Sequence, residues 1–356
     1  MLGPDDKKLI TGCRNLKPIT LKDRELTRLV SVLLHDLGHE ELIPDWIIKE
    51  DIGYYYDMDL KWFTLDKDIG FDFSSFFIRC CKINNFRIVF KCLCELHKRR
   101  RKYAEILRTQ PIPTMDQVAR RGLLEYGAVG LPGLTSWLMW RKWIYDIDNR
   151  SAQETGYLFE PMLAASLGGR TYGSRNSPVT RDGAGGKGRQ VDCIVDVGGE
   201  RLAYEFKARV TIAASGQGRF AEELTFPADC RASGFTPMLL VMDPTPNEKL
   251  EQLRAAFEYN DANGRIQGRC ILGDDVWKHV EEKSGKEIAL FVQRYIKDPI
   301  VSISNHEKDL LDLGLKYRAG EGGDVIEVSV GDQKWSIAPR PEREKAQALD
   351  GEEAED

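Results

Sequence analysis

The spacing of apolar side chains changes character near residue 150. Before it, they recur at the 3.6-residue period of amphipathic helices. Leu26, Leu29, Val30, Leu33 and Leu37 mark a helix over about 22–37. A second amphipathic stretch runs from Phe73 to about Arg108, broken near Asn84-Asn85, and ends in Lys98-Arg99-Arg100-Arg101-Lys102. A third helix is expected over 114–126, with Thr114 as N-cap after Pro111 and Pro113, and a tryptophan-rich fourth over 135–147. Gly127, Gly130, Pro132 and Gly133 join these two in the layout of a helix-turn-helix, which is also the ordinary connection in a bundle.

From 151 onward the pattern is α/β. A helix over 152–167 precedes a loop, 168–190, with seven glycines. Two β-type runs follow, over 191–197 and 201–206, then a helix over 219–232 and a buried-strand pattern over 237–242. A helix over 246–259, a short strand over 269–272 and a helix over 276–283 complete the series. Strands alternating with helices predict a mixed sheet flanked by helices. Residues 323–338 have the pattern of a hairpin, and the stretch after Pro339 is polar, acidic and without aromatics, as expected of a disordered tail. The expected organisation is a mainly helical, partly basic N-terminal domain (1–150), an α/β core (151–300), a C-terminal extension with a hairpin (301–338) and an acidic tail (339–356).

Charge sharpens this picture. The 356 residues carry a net charge of −5, unpromising for a nucleic-acid binder, yet residues 75–150 hold 15 basic and 6 acidic side chains. Such a local excess is the electrostatic footprint of a polyanion partner, although a solvated basic face has the same composition. The mean hydropathy is −0.39. The longest aliphatic run near the N-terminus, Leu29 to Leu34, is far short of the ~20 residues that span a bilayer. The charged first thirty residues show no secretory signal, so the cell interior is the expected compartment, where eight cysteines stay reduced. Cys80, Cys81, Cys92, Cys94 and His97 lack the C-x₂₋₄-C spacing of a zinc site and suit a helical core stripe. His35-Asp36 resembles the pair of metal-dependent phosphohydrolases, but no upstream histidine completes the shell, and the pair suits the end of a helix.

The chemistry concentrates in residues 189–207. The two β-type runs meet at Gly198-Gly199, the signature of a two-residue hairpin turn. Val197 then faces Glu200, and Asp192 falls opposite Glu205, with Lys207 on the same face; a three-residue turn would leave the carboxylates diagonal. Two carboxylates at ~4 Å repel by about 4 kcal/mol at an effective dielectric near 20, so one is protonated or a cation lies between them. Hard oxygen ligands at this spacing suit Mg²⁺, and a nearby lysine can orient or deprotonate a water and offset charge on a phosphorane. A metal, a polarised water and a lysine make a phosphodiester hydrolase. A solvated cross-strand pair relieved by Lys207 is the plainer reading. The apolar residues flanking the charges on both strands predict a buried sheet, where charges are costly without a task.

Asp192, twelve intervening residues and then Glu205-Phe206-Lys207 resemble the motif of the PD-(D/E)XK nuclease superfamily, with Val191 in place of the leading proline. The wider segment from Gly156 to about Phe257 is similar to the catalytic core of type II restriction endonucleases. The resemblance implies a restriction-endonuclease-like core, Mg²⁺ with Mn²⁺ as a substitute, and the backbone carbonyl of Phe206 as a further ligand. It also implies an acidic residue on the preceding helix, for which Glu160 is the better match and Glu154 the weaker.

The implied activity is cleavage of double-stranded DNA at a short palindrome by a homodimer in a prokaryotic cytoplasm, paired with a DNA methyltransferase of the same specificity. A less selective repair or recombination nuclease shares the chemistry, and a non-catalytic DNA-binding regulator would use the helical N-terminal part as reader. Candidate DNA contacts are Arg175, Lys187 and Arg189 in the glycine-rich loop, and Arg99, Arg100 and Arg101 in the basic run. Gln217 and Arg219 can read adenine and guanine by bidentate contacts, or serve as loop and cap residues.

Overall fold

A computed structural model of the chain describes residues 2–16, 19–64, 71–118, 120–181, 186–209, 217–260, 268–306, 308–320 and 323–338. The chain divides into two compact units that interleave in sequence. One comprises Met1–Arg14, Lys22–Leu96 and Gly156–Asp298, and the other Asn15–Leu21, His97–Thr155 and Pro299–Asp356.

The first unit begins with α1 (Pro4–Arg14) and α2 (Asp23–Asp36). Helix α2 is nearly engulfed: Leu26, Leu29, Val32, Leu33 and Leu34 are at most 1% exposed. After α3 (Leu60–Thr64) and α4 (Phe73–Cys80), Asn85 adopts a φ of +55°. That left-handed residue separates α4 from α5 (Phe86–Thr109), the break expected near Asn84-Asn85. Phe73, Phe77, Phe86 and Phe90 pack ring to ring between the two helices, Phe77 meeting Phe86 edge-on. Cys80 and Cys92 are buried in this core, which pushes both thiols up to about 12 and keeps them inert. Asp36 accepts from the Tyr295 hydroxyl at 2.5 Å and pairs with Arg294 at 2.7 Å, so it anchors the end of α2 rather than binding metal.

The same unit holds a five-stranded mixed sheet. Its strands are β3 (Arg170–Tyr172), β4 (Val191–Val197), β5 (Glu200–Arg209), β6 (Thr236–Asp243) and β7 (Arg269–Leu272), adjacent in that order. Strands β3, β4 and β5 run antiparallel, and β5, β6 and β7 parallel. Helices α7 (Gln217–Ala232) and α8 (Glu248–Phe257) cover one face. Phe226, Cys230, Leu250, Leu253 and Phe257 there meet Ile194, Ala203, Leu239 and Val241 of the sheet. Helix α9 (Asp274–Ser284) packs on β6 and β7, with His279 against Tyr204, and α10 (Lys286–Val292) follows.

Helix α6 (Leu131–Ser166) is one continuous element of 36 residues. The sequence predicts two helices here, and the expected boundary at 150 falls inside it. Within the polar stretch at 148–155 the helix runs on, and Ser151 and Thr155 donate their hydroxyls back to the carbonyls of Asp148 and Ser151, so neither competes for the helical amides. The helix expected over 114–126 does not form. Gln117 accepts from the Thr114 amide and Thr114 bonds Asp116, local bonds that hold a turn, and only a 3₁₀ segment, Arg120–Glu125, follows. The helix-turn-helix expectation fails with it.

The second unit also contains β1 (Asn15–Leu16), β2 (Ile19–Thr20), α11 (Asp298–Asn305, which begins in the first unit) and an antiparallel sheet of β8 (Leu313–Arg318), β9 (Val325–Val330) and β10 (Gln333–Ile337). The expected hairpin is β9–β10, and β8 adds a third strand. Ile326, Val328 and Ile337 pack on Trp143 of α6. The tail at 339–356 lies outside the described residues. No helix among the described residues is long and apolar enough to cross a membrane.

Candidate active site

The turn between β4 and β5 determines the site. Gly198 and Gly199 have φ of +64° and +89°, the pair of left-handed positions that a two-residue hairpin turn requires. The register runs from Val197 opposite Glu200 to Cys193 opposite Tyr204, and one further step sets Asp192 opposite Glu205. On its other side β5 pairs Glu205 with Leu239 and Lys207 with Val241, both fully buried. The charged groups therefore stand beside a dry apolar strand.

The Phe206 amide donates to Asp192 Oδ2 at 2.8 Å. Lys207 Nζ donates to Glu205 Oε1 at 2.7 Å and to Glu223 Oε1 at 3.1 Å. Burial raises the Asp192 carboxyl well above the usual range, and the negative charges of Glu205 and Glu160 raise it further against the opposing Phe206 amide. Burial alone would lower the Lys207 ammonium, but Glu205 and Glu223 outweigh it and the net shift is upward. Negative charge thus exceeds the local positive charge, and a cation would relieve it.

Among the described residues no three Asp, Glu, His or Cys side chains form a ready-made metal cage. Asp192, Glu205 and the Phe206 carbonyl offer oxygen donors only, the set that suits a hard cation which keeps most of its waters. The donor set fits Mg²⁺. Glu160 lies on α6 and acts on the Asp192 carboxyl through its charge. Glu154 is ion-paired to Arg99 at 2.7 Å and to Lys102 at 2.8 Å inside the second unit, which removes it as the alternative to Glu160.

The expected DNA contacts divide. Arg189 is buried: it pairs with Asp229 at 2.5 Å, donates to Thr225 at 3.1 Å and lies over the Phe226 ring. It ties its loop to α7 and is corrected from DNA contact to structural residue. Arg99 is likewise engaged by Glu154, with only 11% of its side chain exposed, so the basic run does not face solvent as a whole. Arg100 and Arg101 are half-buried. Arg175 and Lys187, by contrast, line an open hollow with Ser174, Arg181, Gly186 and Gly188. The loop is clasped at both ends. A side chain at Gly188 would strike the Ser174 carbonyl, and one at Gly169 would strike Cys193 Sγ and the Ile194 carbonyl. Gln217 and Arg219 open α7, and their side chains lie outside those described.

Glu223 was missed by sequence reasoning. Its signal is an acidic residue beside the apolar positions Phe220, Leu224 and Phe226 of α7, which pack on the sheet.

The comparison with known proteins places the chain in a family. The family profile described as ApaLI-like restriction endonuclease matches residues 58–297, which include the whole five-stranded sheet and the residues of the hairpin site. The type II restriction enzyme ApaLI of Acetobacter pasteurianus is 44% identical over 309 residues, covering 84% of this chain and 80% of that enzyme. No solved structure matches significantly. With its sheet, its hairpin carboxylates and most of its length inside these matches, the chain belongs to the ApaLI-like restriction endonuclease family.

Proposed function

We propose that Asp192, Glu205 and Lys207 form the hydrolytic centre of a Mg²⁺-dependent type II restriction endonuclease that cuts duplex DNA at a short palindrome. The observation that carries this reading is the buried Asp192 carboxyl directly across the hairpin from Glu205, with the Lys207 ammonium alongside. The fold around it suits a PD-(D/E)XK core, since the antiparallel hairpin leads into parallel strands covered by helices.

Asp192, Glu205 and the Phe206 carbonyl would hold the divalent cation, with Mn²⁺ as a substitute, and Glu160 would contribute from α6. When bound, the cation polarises the phosphoryl group and makes water a better nucleophile. The Phe206 amide fixes the rotamer of Asp192. Lys207 presents a charged donor for the non-bridging phosphate oxygens as negative charge grows there. Arg175 and Lys187, on the open hollow, contact phosphates, with Arg100 and Arg101 as further candidates. Gln217 and Arg219 read bases. A palindrome presents two identical half-sites, which a homodimer matches with one centre per strand. The partner activity is a DNA methyltransferase of the same specificity, and the compartment is the prokaryotic cytoplasm.

Digestion of a randomised duplex library with Mg²⁺, followed by sequencing of the ends, tests the proposal. One palindromic cut motif is expected from the wild type, with relaxed preference at one position in Gln217→Ala or Arg219→Ala, each contact being worth ~1–3 kcal/mol of discrimination. Cleavage without sequence preference would overturn it.

A further inference from the structure

Two carboxylates share one ammonium at the end of β5. Lys207 Nζ bonds Glu205 Oε1 at 2.7 Å and Glu223 Oε1 at 3.1 Å. The three side chains are each less than a fifth exposed, at 17%, 19% and 17% for Lys207, Glu205 and Glu223. Water is therefore a poor replacement for either partner.

The two partners differ in their other duties. Glu205 stands opposite Asp192 and is a proposed ligand of the divalent cation. Glu223 belongs to α7, fixed by Phe220 and Leu224 against the core of the sheet. An ammonium and a divalent cation repel each other strongly at such short range, so both cannot rest on the same Glu205 oxygen. The ammonium must lean away, and in a site this dry it needs another anion to lean on. Glu223 is already within hydrogen-bond distance of it.

We propose that Glu223 is a positioning residue, the second seat of the Lys207 ammonium, which draws it off Glu205 and opens that carboxylate to metal. The inference rests on the assignment of Asp192 and Glu205 as the metal site. Glu223 need not touch the cation or the DNA, because its effect passes through Lys207.

Binding of Mn²⁺ to the full chain without DNA, followed by electron paramagnetic resonance, separates the possibilities. Glu223→Gln should weaken Mn²⁺ binding about tenfold, the size of one charge-assisted contact. Lys207→Met should tighten binding, and adding Glu223→Gln to Lys207→Met should then change nothing, since no ammonium is left to seat. Glu223→Asp, which keeps the anion on a shorter arm, should fall between wild type and Glu223→Gln, and serves where the glutamine variant loses its fold by circular dichroism. Equal weakening in both backgrounds overturns the proposal, because Glu223 would then act on the metal directly. No weakening in either background overturns it too. Glu205→Gln separates the two levels: if Mn²⁺ binding survives that change intact, the metal-site reading has failed rather than the role of Glu223.

Discussion

The amide of Phe206 donates to Asp192 Oδ2 at 2.8 Å, so each strand of the hairpin holds a chemical group of the other in place. Through its own N–H, the residue whose carbonyl is a candidate ligand fixes the first carboxylate. The pleat of β5 at 205–207 and the rotamer of Asp192 are thereby one geometric unit.

Asp192→Asn keeps the shape and an acceptor for the Phe206 amide while removing a charge that burial, Glu205 and Glu160 all disfavour. It should abolish cleavage and raise the unfolding midpoint, by about 1 °C for each ~1 kcal/mol relieved in a chain of this size. Calorimetry beside a plasmid assay checks it. A lowered midpoint would mean that the Asp192 charge is not in conflict with its site.

Glu160 and Glu154 should separate cleanly. Glu160→Ala should slow cleavage at nearly unchanged stability. Glu154→Ala removes a carboxylate partner from Arg99 and Lys102, which are 11% and 6% exposed at their side chains. It should lower the unfolding midpoint, because a buried ion-pair partner is lost, and leave cleavage intact below the melting range. An inactive but stable Glu154→Ala protein would reverse the assignment.

Neutralising Arg175 and Lys187 together should weaken binding to all duplexes alike. The slope of log K against log salt should flatten by about 0.9 per lost contact. Arg189→Ala should leave that slope unchanged and lower stability, because its guanidinium serves Asp229 and Thr225. The opposite pattern would place Arg189 on DNA after all.

His279 supplies a pH test away from the metal site. Burial lowers its pKa below the usual imidazole value, with Lys283 adding to the effect, while its Nε2 shares a hydrogen bond with the Tyr204 hydroxyl at 3.1 Å. The unfolded chain takes up the proton more readily, so this contribution is complete above ~pH 6.5 and is lost as pH falls through the lowered folded value. The unfolding midpoint should therefore drop between neutral and mildly acidic pH, and His279→Gln should remove part of the drop. Superimposable pH curves for the two proteins would sink this account.

The hairpin that carries Asp192 and Glu205 was legible because everything it needs is local. Two glycines name the turn, the turn sets the register, and the register sets Asp192 against Glu205. Arg189 and Arg99 were misread because their partners are distant in sequence: Asp229 is 40 residues away and Glu154 is 55. A cation looks the same in a sequence whether it faces phosphate or a buried carboxylate. Glu223 escaped notice for the same reason, since only the packing of α7 on the sheet brings it to Lys207. The continuity of α6 was hidden by a polar stretch whose hydroxyls, in place, bond back along the helix.

The clasped loop before β4 has a consequence for redesign. Its length and basic content can vary only between two points where backbone or sulfur crowds a glycine, Gly169 against Cys193 and Gly188 against Ser174. Those glycines are natural splice joints. Exchanging residues 175–187 as a block between relatives, with Gly169, Ser174 and Gly188 kept, should transplant the basic arm proposed to contact phosphates without moving the strand that carries Asp192. A side chain placed at Gly169 would push on Cys193 and Ile194 of β4 and change chemistry along with binding.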